Sequence, residues 1–238
     1  MALAPRPASD PVAAALVAAI RAGHSDRLEE LLREHPDAPQ VQIAEPGCDN
    51  ARSLLHIATD WPGHLPNVGA TIAVLVRAGA DVDSRGRGSI TETPLHWAAS
   101  SDDVDALDAL LDAGADIDAD GAVIAGGTPL TDAVAFGQWN AARRLVERGA
   151  TVPFPEAAAL GLMELVVEGA ASADSDDLNG ALWYACHGGQ RRAAEYLLER
   201  GADPARIAPW DGLTPAAAAK RSGAEALASW MSERASRR

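Results

Sequence analysis

The sequence predicts an all-α solenoid, a stack of about six to seven helix–turn–helix units. Three observations carry this. First, a phrase returns at fixed offsets: Thr93-Pro94-Leu95 and Thr128-Pro129-Leu130 are each followed, 21 residues after the threonine, by Gly-Ala, at Gly114-Ala115 and Gly149-Ala150. A period of about 33 to 35 residues is the signature of a stacked repeat. Second, hydrophobic residues make up 47% of the 238-residue chain but aromatics only 4%, with alanine dominant. That composition suits short helices that approach closely. Third, each phrase reads as a helix start: threonine caps, proline occupies the first turn, and leucine with an alanine pair supplies the buried face. A glycine near the ninth position, Gly137 after Thr128, permits a tight turn, and the glycine at 21 ends the second helix with positive φ.

Taken in order, residues 1–9 are expected to be disordered and 10–238 to form one domain. Residues 10–36 read as an N-terminal capping helix pair around Gly23-His24-Ser25, with Asp10 as N-cap and Pro11 behind it. A link over 37–52 carries Pro39, Pro46, Gly47 and Cys48. The unit 53–83 opens with Ser53-Leu54-Leu55-His56-Ile57-Ala58, serine replacing threonine as cap; its Gly79 comes five residues late, the surplus lying in the turn-rich segment 61–67. The unit 93–118 is the most regular. In 128–151 Thr131 stands where its predecessor has His96. The unit 152–170 is short, with an acidic link after it in which Asp174, Asp176 and Asp177 end one helix and cap the next. Unit 179–204 holds Ala185-Cys186, Gly189 and Gly201-Ala202-Asp203, and 211–234 closes the stack with Lys220, Arg221, Glu233 and Arg234 on an exposed capping face.

These phrases resemble the ankyrin repeat, and the resemblance covers residues 10 to 232. It implies short β-hairpin fingers between units, with fingertips and first helices forming a concave recognition surface. On that pattern His56 and His96 bind their own caps and neighbouring backbone. The resemblance also shows where the chain departs: the fingers before Thr93 and Thr128 are long, and the one expected near Val152 is missing. We read 152–170 as a truncated repeat in a continuous stack; a break between two subdomains is the open alternative. Mapped onto this chain, the recognition positions are Arg85, Arg87, Glu92, Ile124 and Trp210 on fingers, and Asp60, Trp61, Ser100, Ser101, Phe136 and His187 at first-helix ends. Trp61, Phe136 and Trp210 are the aromatic anchors among them.

Charge and motifs narrow the function. Thirty-four acidic against 20 basic residues leave a net charge of −14, which argues against nucleic acid and anionic membranes as partners. It suits a protein partner with a basic surface. Two distant cysteines, Cys48 and Cys186, imply no disulfide framework and point to a reducing cytoplasm. The apolar segment 11–20 is preceded only by Arg6 and is broken by prolines, so it reads as a helix rather than a leader. Asp116, Asp118 and Asp120 match the start of a calcium loop, but Gly127 stands where a bidentate glutamate is needed. Cys186 and His187 are adjacent on a helix, so their side chains diverge by about 100° and make a poor nucleophile pair. The acidic set Asp102, Asp103, Asp105, Asp108 and Asp112 reads as a solvated helix face. No phosphate loop, zinc helix or nucleophile elbow is present. The expected function is therefore a non-catalytic, monomeric protein-interaction module without cofactor or metal. The alanine-rich composition suggests a bacterial source. The alternative is a small-ligand binder or enzyme built on the irregular middle, 153–187.

Overall fold

The computed structural model describes residues 4–44, 46–47 and 49–236; Cys48 therefore lies outside the described residues. The contacts divide the chain into two compact units, Met1–Ala150 and Thr151–Arg238. Unit 1 contains helices α1 (Pro11–Ala22), α2 (Ser25–Glu34), α3 (Leu54–Ala58), α4 (Val68–Arg77), α5 (Pro94–Ser100), α6 (Val104–Asp112), α7 (Pro129–Ala135) and α8 (Trp139–Glu147). Unit 2 contains α9 (Phe154–Leu160), α10 (Met163–Ala170), α11 (Ser175–His187), α12 (Arg191–Glu199), α13 (Pro215–Arg221) and α14 (Glu225–Ala235).

In unit 1 the helices form two layers. First helices pack side by side, α3 on α5 and α5 on α7, while second helices α4, α6 and α8 pack in the other. Within unit 2, α9, α11 and α13 form the corresponding row, and α10 packs on α12. Leu54, Leu55, Leu95, Leu107, Leu110 and Leu130 are fully buried, with the alanine pairs between them. Because each unit buries its apolar face only on its neighbours, Leu95→Ala should cost roughly 2–5 kcal/mol. The check is a denaturant titration; wild-type-like unfolding would mean Leu95 does not join α5 to its neighbours.

The helix starts follow their local chemistry. Ser53, Thr93 and Thr128 form capping boxes with His56, His96 and Thr131. His56 Nδ1 lies 2.8 Å from Ser53 Oγ, and His96 Nδ1 lies 2.9 Å from Thr93 Oγ1. The opposite ring nitrogens reach forward: His56 Nε2 to the Glu92 carbonyl at 3.1 Å, His96 Nε2 to the Gly127 carbonyl at 3.4 Å. Each histidine thus ties its own cap to the finger of the next repeat. Both are fully buried, and desolvation holds their pKa down at about 4.

Several local features differ from the expectation. Arg6–Pro7 is a strand (β1), parallel to Ile43–Ala44 (β2), which pairs antiparallel with Ala51–Arg52 (β3). The Arg6 N–H donates to the Gln42 carbonyl at 2.9 Å, and Arg6 pairs with Asp37 at 2.8 Å. Arg6 and Pro7, within the segment 1–9 expected to be disordered, thus find partners some thirty residues away in the link 37–52; residues 1–3 lie outside the described residues. The fingers are closed by turns rather than strands: Ala122 N–H donates to the Gly127 carbonyl at 3.0 Å, and Ala208 N–H to the Leu213 carbonyl at 2.9 Å. Only six residues, 148–153, join α8 to α9, against the sixteen of 113–128 between α6 and α7. Helix α11 starts four residues before the expected Asn179, because Asp174 and Asp177 form a capping box there.

Four of the five acidic residues at and before α6 are structural rather than merely solvated; Asp105 is exposed. Asp102 accepts the Ala141 N–H at 2.7 Å and the Asn140 side chain at 2.8 Å, so it caps α8 from the preceding unit. Asp103 caps α6 through Ala106 N–H at 3.0 Å. Asp108 receives both Arg144, at 2.8 Å, and Arg148, at 2.7 Å, and Asp112 pairs with Arg148 at 2.7 Å.

Candidate functional site

The segment 61–67 that lengthens the α3–α4 turn is pinned at both ends. Asn67 Nδ2 donates to the Gly23 carbonyl at 3.0 Å, and the His64 N–H donates to the Asp103 carboxylate of the following unit. Gly63 fits with φ 76°, and a Cβ there would come 2.9 Å from Ser101 Cβ. The loop is thus held close against Ser101, and it presents Trp61 with 78% of its surface exposed.

Trp61 does not stand alone. A groove of about 390 Å³ is lined by Asp60, Trp61, Glu92, Trp97, Ser100, Ser101, Val123, Phe136 and Gln138. Phe136 follows the end of α7 and is 50% exposed; Val123, on the finger before Thr128, is 63% exposed. Trp97, on α5, donates its indole N–H to Glu92 Oε2 at 3.2 Å, and Gln138 Nε2 donates to the Ser100 carbonyl at 2.9 Å. Asp60 is matched by Arg52 at 3.1 Å and Arg21 at 3.5 Å, and the Arg52 guanidinium lies 5.7 Å from the Trp97 ring centre. The groove therefore has apolar, exposed lips and a polar wall.

Behind that wall sits Asp132, on α7 at the position where α5 carries Trp97. It is fully buried, and neither carboxylate oxygen meets a hydrogen-bond partner at ordinary geometry. Desolvation first, then the negative charge of Glu92, pushes its pKa up to about 7; the Ile124 N–H acts weakly against them. Sequence reasoning missed this residue. The signal was available: a charged side chain stands where the sister helix has tryptophan.

The structure places the sequence candidates in different surroundings. Asp60, Trp61, Glu92, Ser100, Ser101 and Phe136 line the one groove, although Ser101 itself is buried. Ile124 is half-buried on the adjoining finger. Arg85 and Arg87 border a separate hollow of about 540 Å³ with Pro39, Gln42 and Ser84. Arg85 is engaged there as a clamp between fingers, donating to the Thr91 and Asp120 carbonyls at 2.8 Å each and to Asp120 Oδ1 at 2.6 Å. Asp116 accepts the Asp118 N–H at 3.1 Å, and no cluster able to hold a metal occurs among the described residues.

In unit 2, Trp210 is exposed and meets Trp183 edge-on, with ring centres 5.3 Å apart, beside a hollow of about 180 Å³ that also includes Asp176, Asn179 and Arg206. His187, expected at the surface, is only 6% exposed. Its ring stacks on Trp183 at 5.2 Å and its Nδ1 lies 2.9 Å from Ser222 Oγ, so packing against α13 removes it from the recognition surface. Burial pushes the Cys186 thiol up to about 12, which keeps it protonated and unreactive.

Comparison with known proteins agrees with this architecture. A model of three ankyrin repeat copies matches residues 67–154, and a single ankyrin repeat model matches 177–208, together just over half of the chain. No curated protein matches the sequence. The crystal structure of the human ASB11 ankyrin repeat domain is similar in fold, with a TM-score of 0.53 and 20% identity over 91% of this chain and 96% of that one. No helix among the described residues is long and apolar enough to cross a membrane. With its repeats matched by both models, the chain belongs to the ankyrin repeat proteins, a family of non-catalytic protein–protein interaction modules.

Proposed function

We propose that unit 1 docks a protein partner on the groove bounded by Trp61, Val123 and Phe136. The observation that carries the reading is that three large apolar side chains, each at least half exposed, edge one groove instead of being scattered. Exposed apolar residues gathered in one place and rimmed by polar groups mark interaction sites, and tryptophan is a favoured anchor in them. Asp60, Glu92, Ser100 and Ile124 contribute the rim. Arg85 and Arg87 extend the contact along the fingers, and Trp210 offers a second apolar contact in unit 2. The net charge of −14 supports a partner with a basic surface. We take the chain to act as a monomer in a reducing cytoplasm, in keeping with its buried, protonated Cys186. A bacterial source fits the alanine-rich composition.

Replacing Trp61 and Phe136 together by alanine is expected to weaken partner capture at least tenfold, since truncating two anchors removes roughly 2 kcal/mol or more. Thermal melting should stay near that of the parent chain, because both side chains are exposed. Capture followed by quantitative mass spectrometry, beside a melting curve, reads both. Undiminished capture would place the docking surface elsewhere.

A further inference from the structure

We infer that the groove takes one arginine side chain of the docked partner, its guanidinium lying against the indoles and facing the Glu92 carboxylate, with the buried Asp132 carboxyl group behind it. The inference rests on the docking role proposed above and names the chemistry of the guest.

Unmatched negative charge comes first. Of the carboxylates at the groove, Asp60 is already neutralised by Arg52 and Arg21. Glu92 has no ion pair among the described residues; its carboxylate receives the Trp97 indole N–H and lies beside the Asp132 carboxyl group. Behind it Asp132 is completely buried with both oxygens unpartnered. Two adjacent carboxyl groups without a cation are costly to bury, and an orphaned buried acceptor needs an explanation. Among the described residues the neighbouring cations are committed elsewhere: Arg52 to Asp60, and Arg144 and Arg148 of α8 to Asp108 and Asp112 of α6, while His96 of α5 stays neutral. A cation entering through the open groove would supply what Glu92 lacks and would offset the negative charge that, after desolvation, raises the Asp132 pKa.

The walls select the kind of cation. Trp61, Trp97 and Phe136 line the groove. An aromatic face attracts a cation, and a planar, weakly hydrated guanidinium stacks on it while forking onto a carboxylate, which an ammonium does less well. The protein uses this pairing elsewhere: Arg191 and Arg234 lie 4.5 and 5.1 Å from the Trp230 ring centre, and Arg221 lies 5.3 Å from that of Trp183.

The test uses the full chain and four capped tripeptides, Ala-X-Ala with X as arginine, its neutral isostere citrulline, lysine or norleucine. The indole N–H resonances of Trp61 and Trp97 are followed by NMR. The arginine peptide should shift both saturably, with citrulline and norleucine at least about tenfold weaker, a difference of about 1.4 kcal/mol, and lysine in between. Glu92→Gln and Asp132→Asn should each bring arginine and citrulline to within about twofold, with the rest of the spectrum unchanged. Equal binding of arginine and citrulline at the two indoles would overturn the cation inference while leaving the docking groove in place. Lysine binding as tightly as arginine would overturn the choice of guest. An arginine peptide that leaves both indoles unmoved would also overturn the inference. The docking reading itself fails separately, only if capture survives loss of Trp61 and Phe136.

Discussion

Asp132→Asn is expected to stabilise the chain by roughly 2–4 kcal/mol at pH 8 and to leave it nearly unchanged at pH 4. The sign follows from the pKa. The unfolded carboxyl titrates near 3.8 and the folded one near 7. Between those values the native state holds the proton that the unfolded state has released, so stability falls as pH rises and the penalty is complete above about 7. Each unit of pKa difference is worth about 1.4 kcal/mol, and the lower end of the range allows for relaxation around the buried charge. Asparagine reproduces the protonated form: its amide donates toward Glu92 and its oxygen stays available to the Ile124 N–H. Urea titrations of the two chains between pH 4 and 8 supply the measurement. Curves that remain parallel would show that Asp132 is not strained in the fold. If the groove seats a cation, the stabilised variant is also the weaker binder, the usual exchange of stability for function.

The second large effect has the opposite sign and comes from His56 and His96. Both are lowered from 6.5 to about 4 by burial. Above pH 6.5 they cost nothing in either state. As pH falls from 6.5 toward 4, the unfolded chain takes up two protons that the folded chain refuses, and stability drains away at up to about 3 kcal/mol per histidine. Set against a total of about 5–15 kcal/mol for a domain, this is a large fraction of the stability of unit 1. The rise from Asp132 offsets part of it, so the Asp132→Asn chain should lose stability more steeply over the same interval. Imidazole proton shifts give a direct reading: those of His56 and His96 should stay flat down to about pH 5. Midpoints near 6.5 for the two buried rings would contradict their role as neutral ties between repeats.

The repeated caps and turns were legible in sequence because they are local. A threonine, a proline beside it and a turn residue nine positions later that takes positive φ (Asp102 after Thr93, Gly137 after Thr128) act within one helix pair, so α5 and α6 fall where the phrase puts them. What was not legible depends on distance. Asp102 looked like one more surface acid until its partner proved to be the start of α8, 39 residues on. Arg6–Pro7 has no strand signal of its own and becomes a strand only through residues 43–44. His187 followed a rule about surface position that the Trp183 ring and Ser222 override. Within the groove, Trp61, Glu92 and Phe136 could be named from their offsets. Asp132 could not be recognised by type, because its meaning lies in replacing an aromatic at the position Trp97 holds in α5.

The forward reach of the histidines makes each repeat grammatically incomplete: it ends in a ring nitrogen whose object lies in the next finger. The unit at Thr128 carries no such histidine: Thr131 stands in its place and receives the Thr128 N–H at 3.4 Å. The histidine ties of unit 1 therefore reach as far as Gly127 and stop there. Residues 148–153, the short join between α8 and α9, lie beyond them, so an insertion written there would separate neither histidine from its object.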